Sequence, residues 1–176
     1  MAGARRQDDV VIRPRAPADD AAIAEINDSA FGGTGESKLV HALRDAGLVA
    51  IDLVALESSD LVGHVLFSDL DVAMDGRSVK ALALAPVAVR PDRQRRGIGS
   101  ALIRRGLDLA RTDGWAAVIV LGDPAYYPRF GFSAAAARPL RAPFSGDAFM
   151  ALPLRPGALE GCAGRVVYPA AFDVVS

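Results

Sequence analysis

One stretch of this sequence joins an apolar segment, a basic loop and an amphipathic segment, and it constrains the fold more than any other. Residues 79–89 are almost entirely apolar, which is typical of a strand buried on both faces and therefore central in a sheet. Residues 90–96 are polar and rich in arginine, and apolar residues recur at helical spacing over about 97–112. The stretch therefore predicts a strand, a loop and a helix, in that order.

The junction between this loop and the helix is suited to binding an anion. The first amides of a helix lack backbone partners and lie at the positive end of the helix dipole. Gly97 and Gly99 allow a phosphate to approach the backbone closely, and Arg93, Arg95 and Arg96 add positive charge. The junction is predicted to bind a phosphate group, and the alternative is an ordinary strand-to-helix turn whose arginines point to solvent.

The loop itself, Gln94-Arg95-Arg96-Gly97-Ile98-Gly99, resembles the Q/R-x-x-G-x-G/A pyrophosphate loop of the GNAT superfamily of N-acetyltransferases, which bind acetyl-CoA. The strand before it, with Pro86 inside, and the helix after it also match that family. Residues 127–132, YPRFGF, resemble the family's Y-x-x-x-G-F segment. The resemblance is sharp over residues 80–132. It implies the α/β GNAT-type fold, with a mixed central sheet flanked by helices and a β-bulge and splay at the acetyl-CoA strand.

The resemblance also implies which residues hold acetyl-CoA as cosubstrate. Main-chain groups at the end of the central strand would pair with the pantetheine arm, and one amide there could polarise the thioester carbonyl. The pyrophosphate would lie on the loop and on the first turn of the helix. The expected cofactor-binding residues are Val87, Ala88, Val89, Gln94, Arg95, Arg96, Gly97, Ile98, Gly99 and Ser100.

Tyr127 is predicted to be the catalytic residue. Acetyl transfer to an amine expels a thiolate, and a phenol held near the sulfur can protonate it. The spacing of Tyr127 from Gly131 and Phe132 resembles the family position of this general acid. The alternative is a packing tyrosine beside Pro128, and the neighbouring Tyr126 is predicted to pack.

The general base is left open among Glu36, Glu57, His64 and Asp123. A histidine in a strand is more often structural than basic, and carboxylates at helix starts or strand ends have ordinary roles there. A chain of waters could also remove the proton. Cys162 is interpreted as an incidental or structural thiol, because it lies outside the matched core and no histidine is near it in sequence.

Charge and composition exclude several other classes of function. The 20 Lys and Arg residues against 21 Asp and Glu leave a net charge of −1, which argues against a general nucleic-acid binder. A single cysteine excludes an internal disulfide, and the two histidines show no metal-ligand spacing. Neither a signal peptide nor a membrane-length apolar run is found. We therefore expect a cytoplasmic protein without a metal, nucleic-acid partner or membrane. The oligomeric state is left open, with a homodimer as one possibility.

The chain is expected to form a single N-acetyltransferase domain over residues 1–176, with a disordered tail at 1–9 and a C-terminal extension at 155–176 packed on the domain. Helices are predicted at about 18–31 and, starting near Thr34, around residues 39–43, with a short helix at 124–129. The remaining predicted strands are 10–12, 49–57, 61–70, 115–121, 132–139 and 148–154.

The sequence supports three hypotheses about activity. The first is direct transfer of an acetyl group from acetyl-CoA to a primary amine of a small metabolite, in a ternary complex. The second is acetylation of a protein N-terminus or lysine. The third is a CoA-binding regulatory domain without catalysis, which leaves Tyr127 unexplained. The acceptor amine is not identified by any residue pattern.

Overall fold

A computed structural model describes residues 10–175, and the predicted tail at 1–9 lies outside that range. The strands are β1 (Val10–Pro14), β2 (Val49–Glu57), β3 (Asp60–Met74), β4 (Arg77–Val89), β5 (Ala117–Leu121), β6 (Leu140–Arg141), β7 (Phe149–Pro153) and β8 (Gly164–Val167). The helices are α1 (Asp20–Phe31), α2 (Gly35–Asp45), α3 (Ile98–Thr112) and α4 (Ala134–Ala137). Short 3-10 helices span Pro17–Asp19, Pro91–Arg93, Tyr127–Phe130 and Ala170–Val175.

The strands form one mixed sheet, whose main path runs β1-β2-β3-β4-β5-β7. Strand β4 pairs antiparallel with β3 and parallel with β5, while β5 pairs antiparallel with β7. Strand β8 pairs with the far half of β3 and also with β6. The predicted mixed α/β sheet is therefore confirmed, with β4 in the interior of the path as its apolar sequence indicated.

The irregularity expected near Pro86 is present. The peptide bond between Ala85 and Pro86 is cis, and the pairing of β3 with β4 shifts register between Val65 and Phe67, opposite this proline. The parallel pairing of β4 with β5 covers Ala81–Ala83 and does not continue further along β4. Proline cannot donate a ladder hydrogen bond, so a bulge at this position is its ordinary consequence. The edge of β4 that faces β5 is consequently open from residue 84 onward.

Helix α3 packs closely on the sheet because a glycine stands where it crosses β3. A Cβ atom at Gly106 would overlap the ring of Phe67, which is fully buried. The side chains of Leu102, Ile103 and Leu107 fill the space between this helix and the sheet. The close contact sets the position of the N-terminal end of α3 relative to β4.

The predicted strand over 132–139 is wrong. Ser133 bridges to Ala151 in β7, and the alanines that follow it form α4. The Oγ atom of Ser133 accepts a hydrogen bond of 3.1 Å from the amide of Ala136, which is the usual contact of a helix N-cap. Alanine is also the best helix former, so local propensity and capping together favour the helix. The short helix expected at 124–129 is a 3-10 helix that starts later, at Tyr127.

The chain after residue 155 contributes both to the sheet and to the wall of a cavity described below. Val166 of β8 is buried against β3. The 3-10 helix at Ala170–Val175 packs against α2, where a Cβ atom at Gly35 would meet atoms of Val174 and Val175 at 3.5 Å. The assignment of residues 1–176 to one domain stays a prediction. None of the helices within residues 10–175 combines the length and the apolar character needed to cross a bilayer.

Candidate active site

The turn from β4 into α3 leaves helix amides without partners. Gly97 is the N-cap residue, with φ of +83°, and no side chain caps this end of the helix. The first backbone bond of the helix runs from the amide of Ala101 to the carbonyl of Gly97, at 3.0 Å. The amides of residues 98–100 are therefore available to an anion, and the first turn of α3 contains no acidic residue that would repel one.

The loop before this helix is held in an unusual conformation. Arg95 has φ of +63°, in the left-handed region that residues with a Cβ atom seldom adopt. The side-chain amide of Gln94 donates a hydrogen bond of 3.1 Å to the carbonyl of Val89 and so ties the loop to the end of β4. Strain of this kind is typical of functional loops, where the surrounding structure maintains it.

A cavity of about 660 Å³ opens over this loop. It is lined by Ala30, Phe31, Val87, Val89, Arg93, Gln94, Arg95, Gly97, Ile98, Gly99, Ser100, Tyr126 and Arg129. Three of these residues are arginines and none is acidic, so the described lining is cationic. Arg93 is oriented from behind, because Glu57 accepts a hydrogen bond of 3.0 Å from its Nε and Asp92 one of 3.1 Å from its Nη1. We call this the basic cavity.

Tyr126 borders the basic cavity and is held there by polar contacts. Its hydroxyl shares a hydrogen bond of 2.8 Å with the Oγ atom of Ser100, in the first turn of α3. The guanidinium of Arg129 lies over its ring, 4.4 Å from the ring centroid, and donates to the Tyr126 carbonyl at 2.8 Å. Tyr126 was expected only to pack, but its hydroxyl also bonds to the first turn of α3.

A second cavity, of about 400 Å³, lies beside the preceding residues of β4 and is mostly apolar. It is lined by Phe31, Glu36, Leu39, Ala83, Leu84, Ala85, Pro86, Val87, Ile119, Leu121, Gly122, Asp123, Tyr127, Phe144, Tyr168, Phe172 and Val175. Phe31 and Val87 line both cavities. The two cavities therefore meet next to Pro86 of β4. We call this the apolar cavity.

Tyr127 stands at the edge of the apolar cavity and not of the basic one. Burial raises the pKa of its phenol to about 12, with smaller contributions from Tyr126 and Asp123. Within residues 10–175 no hydrogen bond engages its hydroxyl. Gly122 makes room for the ring, because a Cβ atom there would overlap it. A partly buried phenol that remains protonated is chemically suited to donate a proton.

His64 is part of a buried polar network and lies in neither cavity. The side-chain amide of Asn27 lies 3.2 Å from Nδ1, so Nδ1 accepts and Nε2 carries the proton, which it donates to Asp52 at 2.8 Å. Burial opposes ionisation of Asp52, but the hydrogen bond from His64 and the charge of Arg44 outweigh it and lower its pKa. His64 is fully buried and occupied at both nitrogens, which describes a structural histidine.

The other candidate bases also differ in whether they line a cavity. Glu57 pairs with Arg93 behind the basic cavity. Glu36 and Asp123 both line the apolar cavity. Cys162 is exposed in a turn whose amide donates to Asp75 at 3.1 Å, and it lines neither cavity. Among residues 10–175 no group of three or more His, Cys, Asp or Glu side chains could hold a metal ion.

Comparison with known proteins agrees with this geometry. The model of the acetyltransferase (GNAT) domain family matches residues 11–135. The uncharacterized N-acetyltransferase YhbS of Escherichia coli K12 is 37% identical over 167 residues, which cover 93% of this chain and 99% of YhbS. This chain belongs to the GNAT acetyltransferases.

Two solved GNAT structures resemble the fold closely. The crystal structure of Escherichia coli YhbS in complex with CoA has a TM-score of 0.84 and 36% identity, over 93% of this chain and 92% of that one. A GNAT acetyltransferase from Brucella melitensis in complex with acetyl-CoA has a TM-score of 0.77 and 36% identity, over 94% and 99%. The GNAT fold, the acyltransferase class and acetyl-CoA as cosubstrate, all expected from the sequence, are thus confirmed.

The GNAT loop places most of the predicted cofactor-binding residues together. Eight of the ten line the basic cavity: Val87, Val89, Gln94, Arg95, Gly97, Ile98, Gly99 and Ser100. Ala88 and Arg96 are outside its lining, since the Ala88 side chain is buried in the core and Arg96 is exposed. That these ten residues bind acetyl-CoA stays a prediction, and so does the role of the Ala88 main chain.

Sequence reasoning missed Arg129 and Phe31 as lining residues of the GNAT site. Arg129 lies in the same short helix as Tyr127, and a cation within the YPRFGF segment was the available signal. Phe31 is the last residue of α1 and is exposed although it is large and apolar. No sequence pattern around it, including the glycines that follow, indicated that it would line a cavity. Its position between the two cavities depends on how α1 crosses the sheet.

Proposed function

We propose that this chain transfers an acetyl group from acetyl-CoA to a primary amine of a small molecule, directly and within a ternary complex. The observation that carries the proposal is the position of Val87. This residue lines both cavities, so a thioester lying along the end of β4 would reach from the basic cavity to the apolar one. The cofactor would occupy the first cavity and the amine would enter through the second.

The open edge of β4 supports this placement of the cofactor. Because β5 pairs with β4 over Ala81–Ala83, the edge beyond residue 84 can pair with an extended ligand. In the proposal, main-chain groups at residues 87–89 bind the pantetheine arm as a further strand would. The free amides of α3 and the arginines of the basic cavity then hold the pyrophosphate.

The reaction needs three proton transfers. The incoming ammonium loses a proton to a carboxylate, directly or through water, and its nitrogen then attacks the thioester carbonyl carbon. A carbon–nitrogen bond forms, the carbon–sulfur bond breaks, and the sulfur takes a proton from the Tyr127 hydroxyl. The nitrogen, which carries a positive charge after the attack, loses a second proton through water to the tyrosinate, so the phenol is restored. The products are a neutral amide and CoA, and the proton held by the carboxylate passes to solvent. Glu36 and Asp123 are the base candidates that line the apolar cavity, and Glu36 makes no hydrogen bond or ion pair with the described residues.

The size of the apolar cavity favours a small acceptor over a protein one. About 400 Å³ lies within the range of small-molecule sites. The 3-10 helix at Ala170–Val175 lies against α2 and contributes Phe172 and Val175 to the wall. A protein lysine or N-terminus, and a regulatory CoA-binding role, remain the alternative hypotheses. We also propose that the protein is located in the cytoplasm.

The test has two parts on the same preparation. Calorimetric titration with acetyl-CoA measures binding to the basic cavity. Release of free thiol from acetyl-CoA then reports transfer across a panel of small amines, peptides and a lysine-rich protein, with mass spectrometry of the acetylated product. Saturable binding and amine-dependent thiol release are expected for small amines. Binding without transfer to any acceptor would support the regulatory alternative instead.

A further inference from the structure

The apolar cavity carries information about the acceptor. Three aromatic rings form part of its wall. Tyr168 contacts Phe144 edge to face, with ring centroids 5.3 Å apart, and contacts Phe172 with centroids 5.1 Å apart. The Tyr168 hydroxyl makes no hydrogen bond within residues 10–175. Such a wall offers several apolar ring faces and edges to a ligand, and one free hydroxyl.

The charges at this cavity are of one sign. Glu36 and Asp123 line it, and none of the described lining residues is Lys, Arg or His. Glu36 is half-buried in the first turn of α2 and is unpaired within the described chain. A carboxylate held beside apolar surface attracts a cation and repels a second carboxylate more strongly than it would in open water.

These walls come from a part of the chain that the GNAT family model does not cover. The match ends at residue 135, whereas Phe144, Tyr168 and Phe172 follow it. The cofactor side of the site is built from the matched region, and the far side of the apolar cavity from the segment after it. The aromatic part of this wall therefore lies outside the matched region, whereas Glu36 and Asp123 lie within it.

We propose that the acceptor is a primary amine with a single positive charge, a ring-sized apolar body and no carboxylate. Its ammonium pairs with Glu36 and Asp123, and its body lies against Phe144, Tyr168 and Phe172. The inference rests on the proposed function, since it assigns the apolar cavity to the acceptor. It excludes amino acids, whose carboxylate would meet the two acidic side chains, and it disfavours polyamines, whose second charge has no partner among the rings.

Matched ligands test the inference on the native protein, by calorimetry in the presence of saturating CoA. The comparison uses 2-phenylethylamine, phenylalanine, which adds a carboxylate, and ethylamine, which lacks the ring. We expect 2-phenylethylamine to bind about tenfold or more tightly than either, because burying a ring and avoiding a like charge each contribute at that scale. Equal affinity for phenylalanine or for ethylamine would overturn the inference. Tighter binding of a phenylalanine-initiated tetrapeptide amide would instead indicate a peptide acceptor and overturn it too.

Variants then locate the contacts. Phe172→Ala is expected to weaken 2-phenylethylamine about tenfold and to leave ethylamine unchanged. Glu36→Gln is expected to weaken both amines, whereas Glu25→Gln, at an exposed position on α1, should weaken neither. Thermal melting of each variant checks folding. An unchanged ligand ranking in Phe172→Ala would remove the rings from the site.

Measuring the release of free thiol from acetyl-CoA distinguishes a failure of the proposed acetyl transfer from a failure of the proposed acceptor selectivity. Amine binding with the expected ranking but no release of free thiol would contradict the proposed transfer and keep the assignment of the cavity. Release with amines of every kind at equal rates would keep the transfer and overturn the selectivity.

Discussion

The rings of Tyr126 and Tyr127 meet nearly at right angles, with centroids 5.1 Å apart, yet the two residues line different cavities. The Tyr126 hydroxyl bonds to Ser100 at the start of α3, while the Tyr127 hydroxyl has no partner within residues 10–175. Tyr126 is thus tied to the basic cavity by a hydrogen bond, whereas Tyr127 presents an unbonded hydroxyl beside the apolar cavity.

Replacing each tyrosine with phenylalanine should affect different steps. Tyr127→Phe deletes the proposed acid and keeps the ring, so turnover should fall by about 10²–10⁴-fold with little change in acetyl-CoA affinity. Tyr126→Phe deletes one hydrogen bond at the basic cavity, so acetyl-CoA affinity should fall several-fold while turnover at saturation holds. Steady-state rates and calorimetry on both variants distinguish them, and the reverse pattern would identify Tyr126 as the acid.

The pH dependence of turnover follows from the environment of Tyr127. Its pKa of about 12 lies above the ordinary value of 10.0 because burial disfavours the anion. A raised pKa keeps the phenol protonated, so the acid should not cause turnover to fall as the pH rises toward about 10. Rates at saturating substrates over this range provide the check. A descending limb with a midpoint below 10 that disappears in Tyr127→Phe would contradict the expectation.

A negative charge at Gly99 should abolish cofactor binding. Gly99 is not in the left-handed region, and a Cβ atom there would contact Val89 at 3.5 Å and the Tyr126 hydroxyl at 3.6 Å, which are ordinary separations. Gly99→Glu should therefore fold but place a carboxylate where phosphates are expected. The control is Ala101→Glu, exposed on the same helix and outside the cavity. Calorimetry with acetyl-CoA should show loss in the first variant alone, and equal affinities would remove the loop from the site.

Gly106→Ala should destabilise the fold although alanine is the better helix former. Propensity alone predicts a gain of about 1 kcal/mol in the free energy of unfolding. The added methyl would overlap the Phe67 ring, so we expect instead a net loss of about 1–3 kcal/mol. Denaturant unfolding measures it, and Phe67→Leu provides the second arm of a double-mutant cycle. The double variant should be more stable than the sum of the single losses predicts.

Replacing each of the two histidines with alanine should change the free energy of unfolding to very different extents. His64→Ala removes the partner of Asp52 and Asn27 in the core, and we expect a loss of about 2–4 kcal/mol in the free energy of unfolding. His41→Ala, at a side chain that is 79% exposed, should change little. Turnover of the folded His64 variant should stay within a few-fold of the native value. A fall of about 10²-fold or more would make His64 the general base after all.

Local sequence patterns were sufficient to predict the strand β4, the loop after it and the helix α3. The apolar run of β4, the Gln94–Gly99 loop and the amphipathic α3 are contiguous, so strand, anion-binding turn and helix follow from neighbouring residues alone. The alanines after Ser133 carry a local signal of the same kind, because an N-cap and a high helix propensity favour α4 over the predicted strand.

Only the tertiary structure brings the residues of the apolar cavity together. Glu36, Asp123, Phe144 and Tyr168 come from four separate segments, and no spacing in the sequence relates them. Their meeting depends on the packing of the 3-10 helix at Ala170–Val175 against α2 and on the pairing of β8 with β3. The same long-range packing placed His64 between Asp52 and Asn27 and so separated a structural histidine from the candidate bases. Sequence periodicity reports which face of an element is buried but not which distant element covers it, so the apolar cavity could be identified only in the folded chain.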